Sequence, residues 1–76
     1  MNFKICKLYA IKLKNLKTKK IGWLQMDTNR KIKLVYKKDA TWLRDDQTYN
    51  EVKKIIESNG EYKIVQTVKE TVLSPN

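Results

Sequence analysis

The segment FKICKLYAIKLK, residues 3–14, decides how the rest of the chain can fold. Its odd-numbered positions are apolar except Lys7, and Lys4, Lys12 and Lys14 occupy the even-numbered series. Alternation with a period of two is typical of a strand that has one face in the core and one in solvent. The segment therefore predicts a long, half-buried β-strand, with a bulge or an edge near Lys7.

Two further strands are predicted downstream, at residues 21–26 and residues 31–37. The second of these presents Ile32, Leu34 and Tyr36 on one face, which is predicted to meet the helix. The sequence DTNR between the two strands favours a tight turn, because Asp and Asn tolerate left-handed backbone and form local hydrogen bonds. Such short connections favour antiparallel neighbours, so the first three strands are predicted to form a meander.

The motif TYNE, residues 48–51, predicts the start of a helix. In a capping box of this kind the Thr48 hydroxyl accepts from the Glu51 amide, and the Glu51 side chain reaches back to the Thr48 amide. Apolar residues then recur at helical spacing as far as Ile56, which predicts an amphipathic helix near residues 48–59. Gly60 supplies the left-handed residue that ends many helices.

The predicted order is β-β-β-α-β, which is a small α+β domain with a four-stranded antiparallel sheet and one helix packed on one face. The whole chain, residues 1–76, is expected to form one domain with a tail that frays at residues 74–76. Residues 38–47 are compatible either with a helical turn capped by Asp39 or with an irregular loop held by Trp42. A domain of this size has a marginal core, so a homodimer is possible.

Basic residues are concentrated in the first half of the chain. The protein has 17 Lys or Arg residues and 8 Asp or Glu residues, for a net charge of +9. Residues 1–38 contain twelve of the basic residues and a single acid, Asp27. A field of this sign attracts phosphate or an acidic protein surface and accelerates encounter with either.

Conventional catalytic and metal-binding residues are missing from the sequence. The chain has no histidine, only two glycines and a single cysteine, Cys6. This composition argues against a histidine-dependent nucleophile, a Gly-rich phosphate loop and a structural zinc site. Asp45 and Asp46 are interpreted as charges that favour a helix N-terminus rather than as cation ligands. We therefore expect no enzymatic activity, no metal and no cofactor.

Cys6 and the lysines near the start of the sequence predict a cytoplasmic protein without a membrane partner. Cys6 cannot form an intrachain disulfide, and a lone thiol suits a reducing compartment. Lys4 and Lys7 interrupt the apolar stretch that a signal peptide would need.

The strand phases place lysines on the sheet face that points away from the helix. The candidate residues for binding a partner or a nucleic acid are Lys12, Lys14, Lys17, Lys19, Lys20, Trp23, Leu24, Met26, Arg30, Lys31, Lys33 and Lys37. The phase of residues 21–26 stays open. If Leu24 and Met26 point outward, the face is a mixed apolar and basic patch that suits a protein partner. If they point inward, Trp23 stands among the lysines, which is an arrangement that stacks unpaired bases.

The segments Lys37-Lys38-Asp39-Ala40 and Glu61-Tyr62-Lys63-Ile64-Val65, in a small Lys/Ile/Asn-rich chain, resemble the short accessory proteins of phages and prophages of low-GC Gram-positive bacteria. The resemblance implies stoichiometric action on host machinery, as in anti-CRISPR and other anti-defence inhibitors. The net charge of +9 departs from the acidic DNA mimics among them.

The leading hypothesis from the sequence is a non-enzymatic inhibitor or modulator of a host defence or nucleic-acid-processing protein, or of a protein–nucleic-acid complex. The alternative is a nucleic-acid-binding protein, single-stranded or weakly sequence-specific, that uses the same lysine-rich face. With only Arg30 and Arg44 as arginines, such binding would read little sequence.

Overall fold

A computed structural model describes residues 3–75 of the chain. The elements in order are β1 (Phe3–Asn15), β2 (Ile21–Met26), β3 (Ile32–Val35), a 3-10 turn (Lys37–Asp39), β4 (Leu43–Arg44), α1 (Asp45–Asn59) and β5 (Tyr62–Pro75). The structure confirms an α+β domain with one helix and an antiparallel sheet. The sheet is larger than the sequence predicts, because it has five strands instead of four.

Strand β1 lies at the centre of the sheet. β5 pairs with it from Phe3 opposite Pro75 to Asn15 opposite Tyr62, and so covers one edge of β1 along its whole length. β2 and β4 must therefore share the other edge, and β3 pairs with the far side of β2. Within residues 3–75, the other edge of β5 has no strand partner.

The pairing of β1 with β5 contains a bulge at Val65. Lys12 lies opposite Gln66 and Leu13 lies opposite Ile64, so Val65 has no partner. An extra residue in one strand reverses the side on which the following residues point. Before the bulge, the even-numbered residues of β5 therefore share one face of the sheet. After the bulge, the odd-numbered residues point to that face.

The bulge changes which residues of β5 face the helix. We call the face that contacts α1 the inner face and the opposite one the outer face. Simple alternation along β5 would place Val68 on the same face as Tyr62 and Ile64. The register instead places Val68 opposite Ala10 on the outer face. Thr67 moves to the inner face, where its hydroxyl lies 3.3 Å from the Tyr49 hydroxyl of α1.

The core lies between the inner face and α1. Its fully buried side chains include Ile11 and Leu13 of β1, Leu24 of β2 and Ile56 of α1. Tyr36, which the sequence analysis places with Ile32 and Leu34 on the helix side, is instead 79% exposed. β3 ends at Val35, so Tyr36 lies past the strand and leaves the alternation that predicts its burial.

Residues 38–47 contain β4, the short strand that the sequence does not predict. After the 3-10 turn, Leu43 and Arg44 pair with Tyr9 and Leu8 of β1, and Leu43 enters the core. At the other end of the chain, β5 continues through Ser74 and Pro75, where the sequence predicts a frayed tail. Asn76 lies outside the described residues.

The helix begins three residues earlier than the capping box predicts. α1 starts at Asp45, whose carboxylate Oδ1 accepts a hydrogen bond from the Thr48 amide at 2.8 Å. The predicted box between Thr48 and Glu51 is therefore wrong, because Thr48 lies inside the first turn. Asp45 also has φ 59, a left-handed value that Asp tolerates better than most residues. The end of the helix is as predicted, with Gly60 at φ 74.

We expect Asp45→Ala to lower the free energy of unfolding by about 1 kcal/mol, because it removes an N-terminal cap. Thr48→Ala, the substitution that the sequence motif singles out, should change it by less than about 0.5 kcal/mol. Urea denaturation of the two variants beside the wild type measures both values. A larger loss for Thr48→Ala than for Asp45→Ala would contradict this assignment of the cap.

A tyrosine pair joins α1 to β1. The rings of Tyr9 and Tyr49 stack with centroids 4.4 Å apart, and the Tyr9 hydroxyl donates to the carboxylate of Asp46. Lys7 lies 3.6 Å from the same carboxylate. The hydrogen bond to Asp46, with burial and the negative charge, raises the pKa of Tyr9 to about 12. The bond from Tyr9, with the positive charge of Lys7, lowers the pKa of Asp46.

This bond predicts a pH window for stability. A raised tyrosine pKa contributes stability that is complete below the ordinary value of 10.0 and is lost as pH rises toward about 12. A lowered carboxyl pKa contributes stability that is complete above 3.8 and is lost as pH falls through the folded value. Tyr9→Phe should therefore destabilise the protein most between these limits, as measured by urea denaturation across the pH range.

Tyr62→Phe is the matched control, because it removes a hydroxyl at the margin of the same core. Its effect should not follow the titration of Asp46. If Tyr9→Phe lowered the free energy of unfolding as much well below pH 3.8 as at neutral pH, the Asp46 carboxylate would make no contribution to this effect.

Candidate nucleic-acid interface

The orientation of Trp23 is determined by the burial of its neighbour. Leu24 is fully buried on the inner face, opposite Leu34 of β3. Trp23 therefore points to the outer face, where its cross-strand neighbours are Lys12 of β1 and Val35 of β3. Of the two phases that the sequence leaves open, the structure has the one with tryptophan on the basic face.

Two lysines lie over the half-buried indole of Trp23. The ammonium nitrogen of Lys12 is 5.9 Å from the ring centroid, and that of Lys37 is 5.4 Å from it. Cations within about 6 Å of a tryptophan ring are attracted to its negative face. Lys12 comes from β1 and Lys37 from the 3-10 turn, so two separate elements bring positive charge to one aromatic ring.

More lysines extend this surface on the outer face. Lys14 lies opposite Lys63 of β5, and Lys33 lies opposite Gln25 of β2. In the sheet around Trp23 the register brings no Asp or Glu to this face, and within residues 3–75 the only lysine or arginine ion pair is that of Lys7 with Asp46. We call Lys12, Lys14, Trp23, Lys33, Lys37 and Lys63 the Trp–Lys surface. No carboxylate of residues 3–75 lies within 4.0 Å of the ammonium nitrogens of these lysines.

Lys63 is a member of the Trp–Lys surface that the sequence analysis missed. The alternation of the last strand already places it opposite in phase to Tyr62 and Ile64. What the sequence could not supply is the strand order, because Lys63 reaches the basic face only by pairing with Lys14.

The turn between β1 and β2 adds exposed lysines at one end of this surface. The side chain of Asn15 accepts hydrogen bonds from the amides of Lys17 and Thr18, and its backbone carbonyl accepts from the amide of Lys19. The turn is therefore fixed by its own hydrogen bonds, and Lys17, Lys19 and Lys20 project from it into solvent.

Four of the predicted site residues lie elsewhere. Leu24 is buried and Met26 packs against the core from the inner face, so the mixed apolar and basic patch predicted from the outward phase does not form. Arg30 and Lys31 are exposed in the connection between β2 and β3. This connection is at the opposite end of β2 from the turn lysines, so these two residues lie apart from them.

A metal cluster, a reactive thiol or a membrane-spanning helix would define another kind of site. Among the residues that it describes, no group of three or more His, Cys, Asp or Glu side chains is placed to hold a metal ion. Cys6 is half-buried on the outer face, opposite Val72 of β5. No helix within residues 3–75 has the length and apolarity to cross a membrane.

Comparisons of the chain with protein-family models, with curated proteins and with solved structures found no match. The geometry of the Trp–Lys surface is therefore what bears on function.

Proposed function

We propose that this protein binds single-stranded nucleic acid through the Trp–Lys surface. The observation that carries the proposal is the outward orientation of Trp23 among lysines that have no carboxylate partner. Aromatic side chains in a positively charged groove or face bind single strands by stacking bases while the cations track phosphates. The sheet supplies both parts on one face.

An unpaired strand fits this surface better than a duplex does. A base can stack on an indole only when its own face is free, and the bases of a duplex already stack on one another. In the bound state we expect the ammonium groups of Lys12 and Lys37 to turn from the ring toward phosphates, which leaves a face of Trp23 for a base. Lysine contacts phosphate as a point charge, so the binding depends weakly on sequence.

The predicted role as a phage-type inhibitor of a host protein stays a hypothesis with less structural support. Its premise is a surface that combines lysines with Leu24 and Met26, and both side chains lie on the inner side of the sheet. A single-stranded ligand needs no apolar patch of that kind. A cytoplasmic location, as predicted from the sequence, would place the protein with such ligands.

Charge reversal on the Trp–Lys surface should weaken binding. We expect Lys33→Glu with Lys37→Glu to abolish detectable binding of labelled dT12 and U12 near physiological salt. For the wild type, the logarithm of affinity should fall linearly with the logarithm of salt concentration, by about 0.7 per neutralised phosphate on a single strand. Fluorescence anisotropy at several salt concentrations measures both effects.

Lys53→Glu with Lys54→Glu is the matched control, because both residues are exposed on α1, on the other side of the sheet. It makes the same change in net charge and should retain most of the affinity. Equal losses in the two double variants would show that only net charge matters, and absence of wild-type binding at low salt would overturn the proposal.

Trp23 should report base stacking directly. In a Trp42→Phe background it is the sole tryptophan, and dT12 should quench its fluorescence. Replacing Trp23 by Ala should cost about 1–3 kcal/mol of binding free energy, the usual value of a base stacked on an aromatic side chain. Circular dichroism of each variant checks that the fold survives. Unchanged fluorescence at saturating dT12 would mean that Trp23 does not stack on a base.

A further inference from the structure

A cleft lies at the point where β2 continues beyond the end of β3, and its lining includes Val35, the cross-strand partner of Trp23. The last pair between these strands joins Trp23 to Val35, so the first residues of β2 have no partner in β3. The cleft has a volume of about 510 Å³ and is lined by apolar residues Ile21, Leu34 and Val35. Its polar lining comes from Lys20, Tyr36 and Asp39.

These residues can contact both the base and the phosphate of a nucleotide. Tyr36 is 79% exposed and Ile21 is 56% exposed, so an aromatic and an aliphatic side chain are available to a base. Lys20 offers a cation to a phosphate. Asp39 differs from them, because a carboxylate repels phosphate and only accepts hydrogen bonds. Its place in a cleft of a strongly basic surface is therefore explained better by donors on a base edge.

The position of Asp39 is fixed by its backbone. Its amide donates to the Tyr36 carbonyl at 2.9 Å, and its own carbonyl accepts from Gln25 Nε2 at 3.1 Å. No Lys or Arg nitrogen of residues 3–75 lies within 4.0 Å of its carboxylate. Asp39 is thus held at the cleft without an ion pair that would compete for its oxygens.

We propose that this cleft selects guanine beside the base that stacks on Trp23, and that Asp39 reads it. This inference rests on the proposed binding of single strands. Guanine presents two neighbouring donors, N1–H and the N2 amine, which match the two oxygens of a carboxylate. Single-stranded bases expose this Watson–Crick edge, and proteins read it by hydrogen bonds. Thymine and uracil offer one donor there, and adenine and cytosine offer a single amine.

The test compares dT12 with strands in which one central thymine is replaced by guanine, hypoxanthine, adenine or cytosine. Hypoxanthine has the shape of guanine but lacks the N2 amine. A good bidentate contact discriminates by roughly 5- to 150-fold, so guanine should bind at least about fivefold more tightly than hypoxanthine or any other substitution. Competition against labelled dT12 measures each ratio.

Asp39→Asn should remove the preference for guanine without reducing affinity for dT12, because the loss of a negative charge cannot weaken phosphate binding. Lys20→Gln is the contrasting variant, and it should weaken binding of all strands by a similar factor. If dT12 binds but guanine has no advantage, or if Asp39→Asn keeps that advantage, this inference fails while the proposed function stands. If dT12 does not bind at all, both fail.

Discussion

The antiparallel pairing of β1 with β5 is the constraint on which the rest of the structure depends. It covers one edge of β1 from Phe3 to Asn15, so β2 and β4 can pair only with the opposite edge. α1 joins β4 to β5, which lie on either side of β1, and it therefore crosses the inner face. Within residues 3–75 no helix or second sheet covers the outer face, where only the 3-10 turn reaches Trp23, and the lysines of the Trp–Lys surface lie there.

The assignment of side chains to the two faces decides the chemistry of the protein. Leu24 is buried because β3 supplies Leu34 beside it, and this places Trp23 on the outer face with Lys12. A shift of one residue would exchange these two side chains, because strand side chains alternate. Strand register therefore builds the candidate site, apart from Lys37, which the 3-10 turn contributes.

Much of the fold could be predicted from the sequence, because β1 and α1 are long and strongly periodic. β4 could not be predicted, because a strand of two residues is too short to show a periodic pattern. The bulge at Val65 could not be predicted either, because it changes the pairing partners of β5 without changing the pattern of apolar and polar residues in the sequence. The orientation of Trp23 cannot be derived from the sequence IGWLQM, because this segment has apolar residues in both phases. The T-x-x-E motif suggested the wrong cap because nothing in the sequence marks Asp45 as left-handed.

The pairing of β1 with β5 also has a consequence for how the chain folds. The paired residues are 47 to 72 positions apart in sequence, from Asn15 with Tyr62 to Phe3 with Pro75. Non-local contacts form only after the chain has lost the conformational entropy of closing a long loop. Topologies with many such contacts therefore fold slowly. The β1–β2–β3 meander and α1 have local contacts and can form early. The central strand then keeps one edge open until β5 docks, which makes that docking the step that closes the core.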